Sequence, residues 1–405
     1  MSSCRICRGK LKKIINLGKI ALVGNFFKKK KKLKKYKISL NFCSTCKHVQ
    51  ISEVVNPNLL FKKYLWETGI SKSNINLIKN LILILKKFNI NQNSKVLEIA
   101  SNDGSFLSLL NKRFKCFSIG IDPAKNMKKI SGKKNFLSII DYFNFRLSTK
   151  IKKKFKKFNF IVARNVLAHV RNPNEIFKGV NNLLLNNGIF IIEVPHLENI
   201  IVQNQYDNIF HEHVGFHSLK SIVDLSKRHN LKVFDVEKIE SQGGSLRCYI
   251  CKTSLNKKIK RKVNSLIKQE QKLGLYSSVK LKDFKRKILV HITMIQNLIK
   301  SLKNRQKIIS VYGASGKGQA LLQFCNLNNN VIDYVFDKSK KKQGCYTPGT
   351  YIKIKNPSEI KKTGTQYLLL LSWNIKKEII EQEKKFIKNG GKFIIPFPSP
   401  RVMIK

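Results

Sequence analysis

Short apolar runs separated by stretches of helical spacing recur between residues 95 and 194, and this alternation is the strongest constraint on the fold. The runs cover 95–100 (KVLEIA), 116–122 (CFSIGID), 135–140, 158–165 (FNFIVARN) and 188–194 (GIFIIEV). Helical segments are read around 106–110 and 174–185. Strands that are apolar along their whole length are buried on both faces, which requires a parallel sheet covered by helices. Two further runs, 232–239 and 245–252, lie close together and predict an antiparallel hairpin at the sheet edge. Together they predict an α/β, Rossmann-like domain over 75–253.

The same pattern restarts after residue 307. A strand at 308–311 leads into Tyr312-Gly313-Ala314-Ser315-Gly316-Lys317-Gly318, and later strands are read at 334–336, 367–371 and 392–396. This predicts a second, smaller Rossmann-like domain over 307–405. The intervening stretch, 254–306, is polar, Lys-rich and nearly free of Gly and Pro, so it predicts long helices bridging the two. The first 62 residues differ from both. They hold Cys4, Cys7, Cys43 and Cys46 in two CxxC pairs, a spacing that suits a structural zinc rather than disulfides. Four thiolates leave no open position for catalysis at that metal.

The 405 residues carry 80 Lys and Arg against 23 Asp and Glu, a formal net charge of +57. The excess is Lys spread over every segment, whereas a nucleic-acid face clusters its charge and interleaves aromatics. The densest block, residues 28–35, reads as a solvated loop. Nucleic acid is therefore not expected as a partner; the charge favours small anionic ligands. No run approaches the ~20 apolar residues needed to span a bilayer, and no secretory pattern opens the chain, so no membrane association and a cytoplasmic location are expected. The oligomeric state is open, with a monomer favoured.

Ligands of open parallel sheets sit beyond the carboxyl ends of the strands. Three successive strand ends carry matching chemistry. The first is the turn Glu98-Ile99-Ala100-Ser101-Asn102-Asp103-Gly104, whose small residues let backbone N–H groups approach a ligand. Ala100 occupies a position often held by Gly and is tolerable there if its φ stays negative. The second is Asp122, suited to both hydroxyls of a ribose. The third is Asp141 with Tyr142, suited to an adenine edge and face. Asn165 would line the remainder of the ligand. The turn lacks the GxGxxG dinucleotide fingerprint. This order of acids resembles the class I methyltransferases, which implies S-adenosylmethionine (SAM) as cofactor.

The whole chain resembles the sugar C-methyltransferases that act on nucleotide-linked 4-keto-deoxyhexoses. The shared motifs run end to end: both CxxC pairs, EIASNDG, Asn165-Val166-Leu167-Ala168-His169, Tyr206-Asp207-Asn208-Ile209-Phe210-His211-Glu212-His213, Gly243-Gly244-Ser245-Leu246-Arg247, the Gly313–Gly318 turn, Tyr346-Thr347-Pro348-Gly349-Thr350 and Ser372-Trp373-Asn374. The resemblance implies that His213 removes a proton from C-3 of the sugar, with Glu212, His211 and His169 beside it. It implies a TDP-type nucleotide sugar between the middle and C-terminal domains. Tyr64 and Trp66 match an aromatic pair that walls the sugar pocket, a role that competes with packing between the zinc domain and the core. Lys317, at a helix start, is spaced to meet a phosphate, and Trp373 and Asn374 join the same rim. Phe210 departs from the family, many members of which have Tyr before the His-Glu-His triplet. That departure keeps an O- or N-methyltransferase of the same architecture as the alternative. A zinc-ribbon protein binding nucleic acid, suggested by charge alone, would leave the histidine cluster unexplained.

Overall fold

The computed structural model describes residues 3–29, 31–62, 64, 66–127 and 135–403, and among these described residues 17 strands build three sheets. The N-terminal lobe contains β1 (Leu11–Ala21), β2 (Lys35–Cys43) and β3 (Val49–Ile51), paired antiparallel. The central sheet is built from β4 (Lys95–Ile99), β5 (Phe117–Ile121), β6 (Leu137–Ile139), β7 (Phe158–Arg164) and β8 (Leu184–Pro195). The short β9 (Gly215–Phe216) follows, then the hairpin β10 (Leu231–Ile239) and β11 (Ser245–Lys252). The order across the central sheet is β10-β11-β8-β7-β4-β5-β6. Strands β4 to β8 run parallel, and the hairpin adds antiparallel at the β8 edge. The strand order reverses between β4 and β7, which opens a crevice beyond their carboxyl ends.

The fully apolar strands are buried on both faces, as their composition requires. Leu97, Ile99, Ile161 and Ile192 pack into one core layer; Val96, Val162, Ile191 and Phe106 pack into the other. The C-terminal sheet repeats the arrangement with β12 (Ile309–Tyr312), β13 (Tyr334–Phe336), β14 (Lys353–Lys355), β15 (Tyr367–Leu370), β16 (Lys392–Ile395) and β17 (Arg401–Val402). Its order is β14-β13-β12-β15-β16-β17, parallel except for the last strand.

Two features tie the lobes together. First, β3 pairs with β9, so the N-terminal sheet is completed by a strand from the middle of the chain. Arg5, inside the first Cys pair, reinforces this junction by donating to the carbonyls of Val214 and Ile51 at 2.7 and 2.6 Å. Second, the bridging stretch forms the helices Arg261–Lys272 and Ser278–Asn304. The longer one buries Leu281, Phe284, Ile288, His291, Ile295, Ile299 and Leu302, a three-and-four spacing that makes one continuous face. This face shares a single hydrophobic core with β1, with residues 197–216 and with the C-terminal sheet. The bridge is therefore part of the core and not a solvated strut. No described helix is long and apolar enough to cross a membrane.

Candidate active site

The four cysteines come together. Their sulfurs all lie within 4.8 Å of one another, with Cys4–Cys46 and Cys7–Cys43 both at 3.4 Å. The two knuckles have the same local form. Arg8 N–H donates to Cys4 O and Lys47 N–H to Cys43 O, and Arg8 and Lys47 both adopt positive φ, at 67° and 60°. Tetrahedral zinc with Zn–S near 2.3 Å needs sulfurs about 3.8 Å apart, so the cluster fits that ion with little adjustment.

The turn after β4 is bent by three left-handed residues, Ala100 (φ 58°), Asn102 (φ 51°) and Gly104 (φ 71°). The condition set for an alanine at this position, a negative φ, is not met: Ala100 takes the left-handed conformation, at a cost of about 1 kcal/mol. Gly104 is a position where no side chain fits, because an added Cβ would lie 2.1 Å from the Phe136 ring. Ser101 turns inward over Gly120, whose hydrogen leaves room that a Cβ would take. Asp122, at the end of β5, braces the turn by accepting from Asn102 N–H at 2.9 Å and Ala124 N–H at 2.8 Å. Each of its oxygens keeps a second lone pair for a ligand hydroxyl.

Glu98 is buried and held by Arg164, whose Nε and Nη2 donate to Oε1 at 3.2 and 2.8 Å. Burial nevertheless pushes its pKa up to about 7. Its Oε2 and the Oδ1 of Asn165, at the neighbouring strand end, are buried with no protein partner. Two such acceptors beside a glycine-requiring turn fit an adenosyl and amino-acid ligand with donors to offer. Asp141 and Tyr142 are exposed on the β6 side; Asp141 accepts from its neighbour's backbone N–H, and the Tyr142 hydroxyl donates to Asn58 at 3.3 Å. The segment before the helix Lys72–Lys87 lies over the turn. Asn102 bonds Thr68 N–H and Trp66 O, and Asp103 accepts from Gly69 N–H. Trp66 itself is 40% exposed.

The histidine triplet lies on the same rim. His213 Nδ1 sits 2.8 Å from Asn208 O, so that nitrogen carries the proton and Nε2 keeps a free lone pair. The His213 ring stands 4.7 Å from the His169 ring and 4.2 Å from the Phe210 ring. Burial lowers the His213 pKa well below the ordinary imidazole value, with His169 and Lys317 adding to the effect. The imidazole is neutral, the form that accepts a proton. Burial likewise draws His169 down to about 4. Glu212 is pushed up to about 7 by burial, and the Tyr64 hydroxyl donates to it at 3.4 Å. His211 is turned the other way: its Nε2 meets Tyr36 O at 3.2 Å, against the N-terminal lobe. Its expected place beside the other two is not what the structure shows: the chain turns at residues 211–212, and the His211 ring packs against Tyr36.

Lys317 also lies elsewhere than an open rim. Only 8% exposed, it donates to Gln242 O at 2.6 Å and stands 5.8 Å from the Trp373 ring. Trp373 donates to Asp207 at 2.7 Å, while Asn374 is exposed. Gly243 permits this packing, since a Cβ there would lie 2.5 Å from the Trp373 ring. Arg164, Phe136 and Asp207 received no role from sequence reasoning. Arg164 and Asp207 were within quoted motifs, but their partners are 66 and 166 residues away.

Three family models match in order. A putative zinc binding domain covers 4–61, a methyltransferase domain 74–236, and a C-methyltransferase C-terminal domain 240–398. The C-methyltransferase NovU of Streptomyces niveus is 28% identical over all of this chain and 97% of its own length. Among solved structures, the PH0226 protein of Pyrococcus horikoshii aligns with 49% of this chain and 96% of its own, at 18% identity and a TM-score of 0.38. Magnesium protoporphyrin IX methyltransferase of Synechocystis aligns with 44% of this chain and 79% of its own, at 9% identity and a TM-score of 0.34. With its four-cysteine cluster, its strand order and all three domains accounted for, the chain belongs to the SAM-dependent C-methyltransferases that carry an N-terminal zinc-binding domain.

Proposed function

We propose that the chain methylates C-3 of a nucleotide-linked 4-keto-6-deoxy sugar, with TDP as the nucleotide. The observation that carries this reading is the His213 imidazole, held by Asn208 O with its Nε2 lone pair free and placed among His169, Phe210 and the SAM-side strand ends. SAM, when bound, supplies an electrophilic methyl group. Glu98, Ala100, Ser101, Asn102, Gly104, Asp122, Asp141, Tyr142 and Asn165 would hold it. The chain's own work is to make a carbon nucleophilic. His213 Nε2 removes the proton next to the ketone, which a neutral and desolvated imidazole is suited to do. Glu212, kept near half-protonated at neutral pH, can hold a sugar hydroxyl as donor or acceptor, and Tyr64 orients it. Trp66, Trp373 and Asn374 would line the sugar nucleotide. Cys4, Cys7, Cys43 and Cys46 would hold zinc, and Arg5 and β3 tie that cluster to the strand that follows the histidine triplet.

Purified protein incubated with SAM and TDP-4-keto-6-deoxy sugars should yield a product one methyl heavier, with the methyl on carbon by fragmentation. His213→Asn should lower the rate at least ~100-fold while SAM affinity stays within about twofold. A methyl found on oxygen or nitrogen would replace this reading with the O- or N-transfer alternative, for which Phe210 is the motivating departure.

A further inference from the structure

We propose that Lys317 is a catalytic residue of this reaction, its ammonium donating to the oxygen that becomes negative when the carbon next to the ketone loses its proton. The inference rests on the C-methylation reading above and assigns the stabiliser that reading lacks. Removing a proton beside a carbonyl puts the charge on oxygen, and a donor must meet it there. Phe210, whose ring stands against His213, has no hydroxyl to offer.

Three observations place Lys317 in that role. It is next to Gly316, where an added Cβ would lie 3.6 Å from the Phe210 ring, and that ring stands 4.2 Å from His213. The side chain is 8% exposed, so it faces the interior between the domains and not a solvent rim suited to a diphosphate. Its recorded partner is one backbone carbonyl, Gln242 O at 2.6 Å, and among the described residues no carboxylate lies within ion-pair distance of it. An ammonium has three donors, so two remain for a ligand. A cation this buried is costly unless an anion joins it. Asp207 is the nearby acid; its Oδ2 accepts from Trp373 Nε1 at 2.7 Å, and it makes no ion pair with Lys317. Its field raises the Lys317 pKa against the lowering by burial, which leaves the amine at about 8 and therefore largely charged at neutral pH.

The step balances within the site. His213 Nε2 takes the C-3 proton, and the C–H electron pair becomes the C-3 to C-4 π bond. The former carbonyl π pair settles on O-4, which accepts a hydrogen bond from Lys317 without proton transfer. When C-3 attacks, the O-4 pair re-forms the C-4 carbonyl, the C-3 to C-4 π pair becomes the bond to the methyl carbon, and the pair of the broken sulfur–methyl bond would leave on sulfur as S-adenosylhomocysteine.

The test follows exchange of the C-3 proton for deuterium in TDP-4-keto-6-deoxy sugars, with S-adenosylhomocysteine in place of SAM so that no methyl is transferred. The wild-type protein is read first: absence of exchange removes both the base assigned to His213 and this inference. With exchange established, Lys317→Met should lower its rate at saturating sugar nucleotide by about 10²- to 10³-fold. A fall of less than tenfold overturns the proposal, and a weakened sugar-nucleotide Kd alongside that preserved rate would return Lys317 to a phosphate contact. If Lys317→Met fails to bind SAM as wild type does, Lys317→Gln, which keeps a donor but not the charge, is judged by the same tenfold criterion.

Discussion

The two Rossmann-like sheets brace their first turns in the same way and then diverge in charge. In the central sheet, Asp122 at the end of the second strand accepts from Asn102 N–H in the turn and from Ala124 N–H. In the C-terminal sheet, Asp337 after β13 accepts from Ala314 N–H in the equivalent turn and from Ser339 N–H. The first acid is bonded only to those backbone donors in the recorded contacts of the turn. The second has Lys342 Nζ 3.4 Å away, and the same ammonium donates to Ala314 O. The turns also differ at their first residue. Ala100 holds a φ of 58°, whereas Gly313 holds 94° and could take no Cβ beside Ser372. One scaffold thus carries an acid that makes no ion pair among the described residues and, in its second copy, an acid closed by its own lysine. Backbone bracing belongs to the fold; the ligand is chosen by which charges are left over.

Matched substitutions probe this difference. Asp122→Asn should weaken SAM binding by about 2 kcal/mol, roughly 30-fold, because hydrogen bonds to a charged acceptor are lost. Asp337→Asn should leave SAM affinity unchanged and lower the unfolding midpoint only. Calorimetric titration of both variants reads the contrast; equal losses would mean that both acids merely brace their turns.

A smaller effect concerns Glu98. Burial raises its pKa to about 7, against an ordinary 4.5. A raised carboxyl pKa favours the folded state at low pH, and that contribution, full below pH 4.5, is lost as pH rises through 7. The cationic SAM reverses the preference and draws out the ionised form. Its affinity should therefore rise roughly tenfold between pH 6 and 8, and Glu98→Gln should flatten the profile. A flat profile in the wild type would mean that Glu98 does not sense the cofactor.

The smallest change tests the strain in the first turn. Ala100→Gly should stabilise the ligand-free protein by about 1 kcal/mol, measured by denaturant unfolding, since glycine accepts positive φ without a Cβ clash. A loss of stability there would show that the methyl group packs usefully.

Much of the architecture was legible from residue order alone, because it depends on local pattern. Uninterrupted apolar runs demand burial on both faces, so both parallel sheets and the edge hairpin follow from composition over five to ten residues. Two CxxC pairs need only their own knuckles to form, and all four sulfurs converge as read. The positions of Asp122 and Asn165 just past two strand ends follow in the same way. Features set by partners distant in the chain were not legible. The completion of the N-terminal sheet by β9 depends on a pairing across more than 160 residues. The direction of His211 depends on Tyr36 O, and the burial of Lys317 on the Gln242 turn. The turn that holds Ala100 at positive φ is closed on from outside by Asp122 and the segment around Thr68, both of which bond Asn102. A side chain's residue type defines which bonds it can make; which of them it does make is decided by packing, and packing is a property of the whole fold.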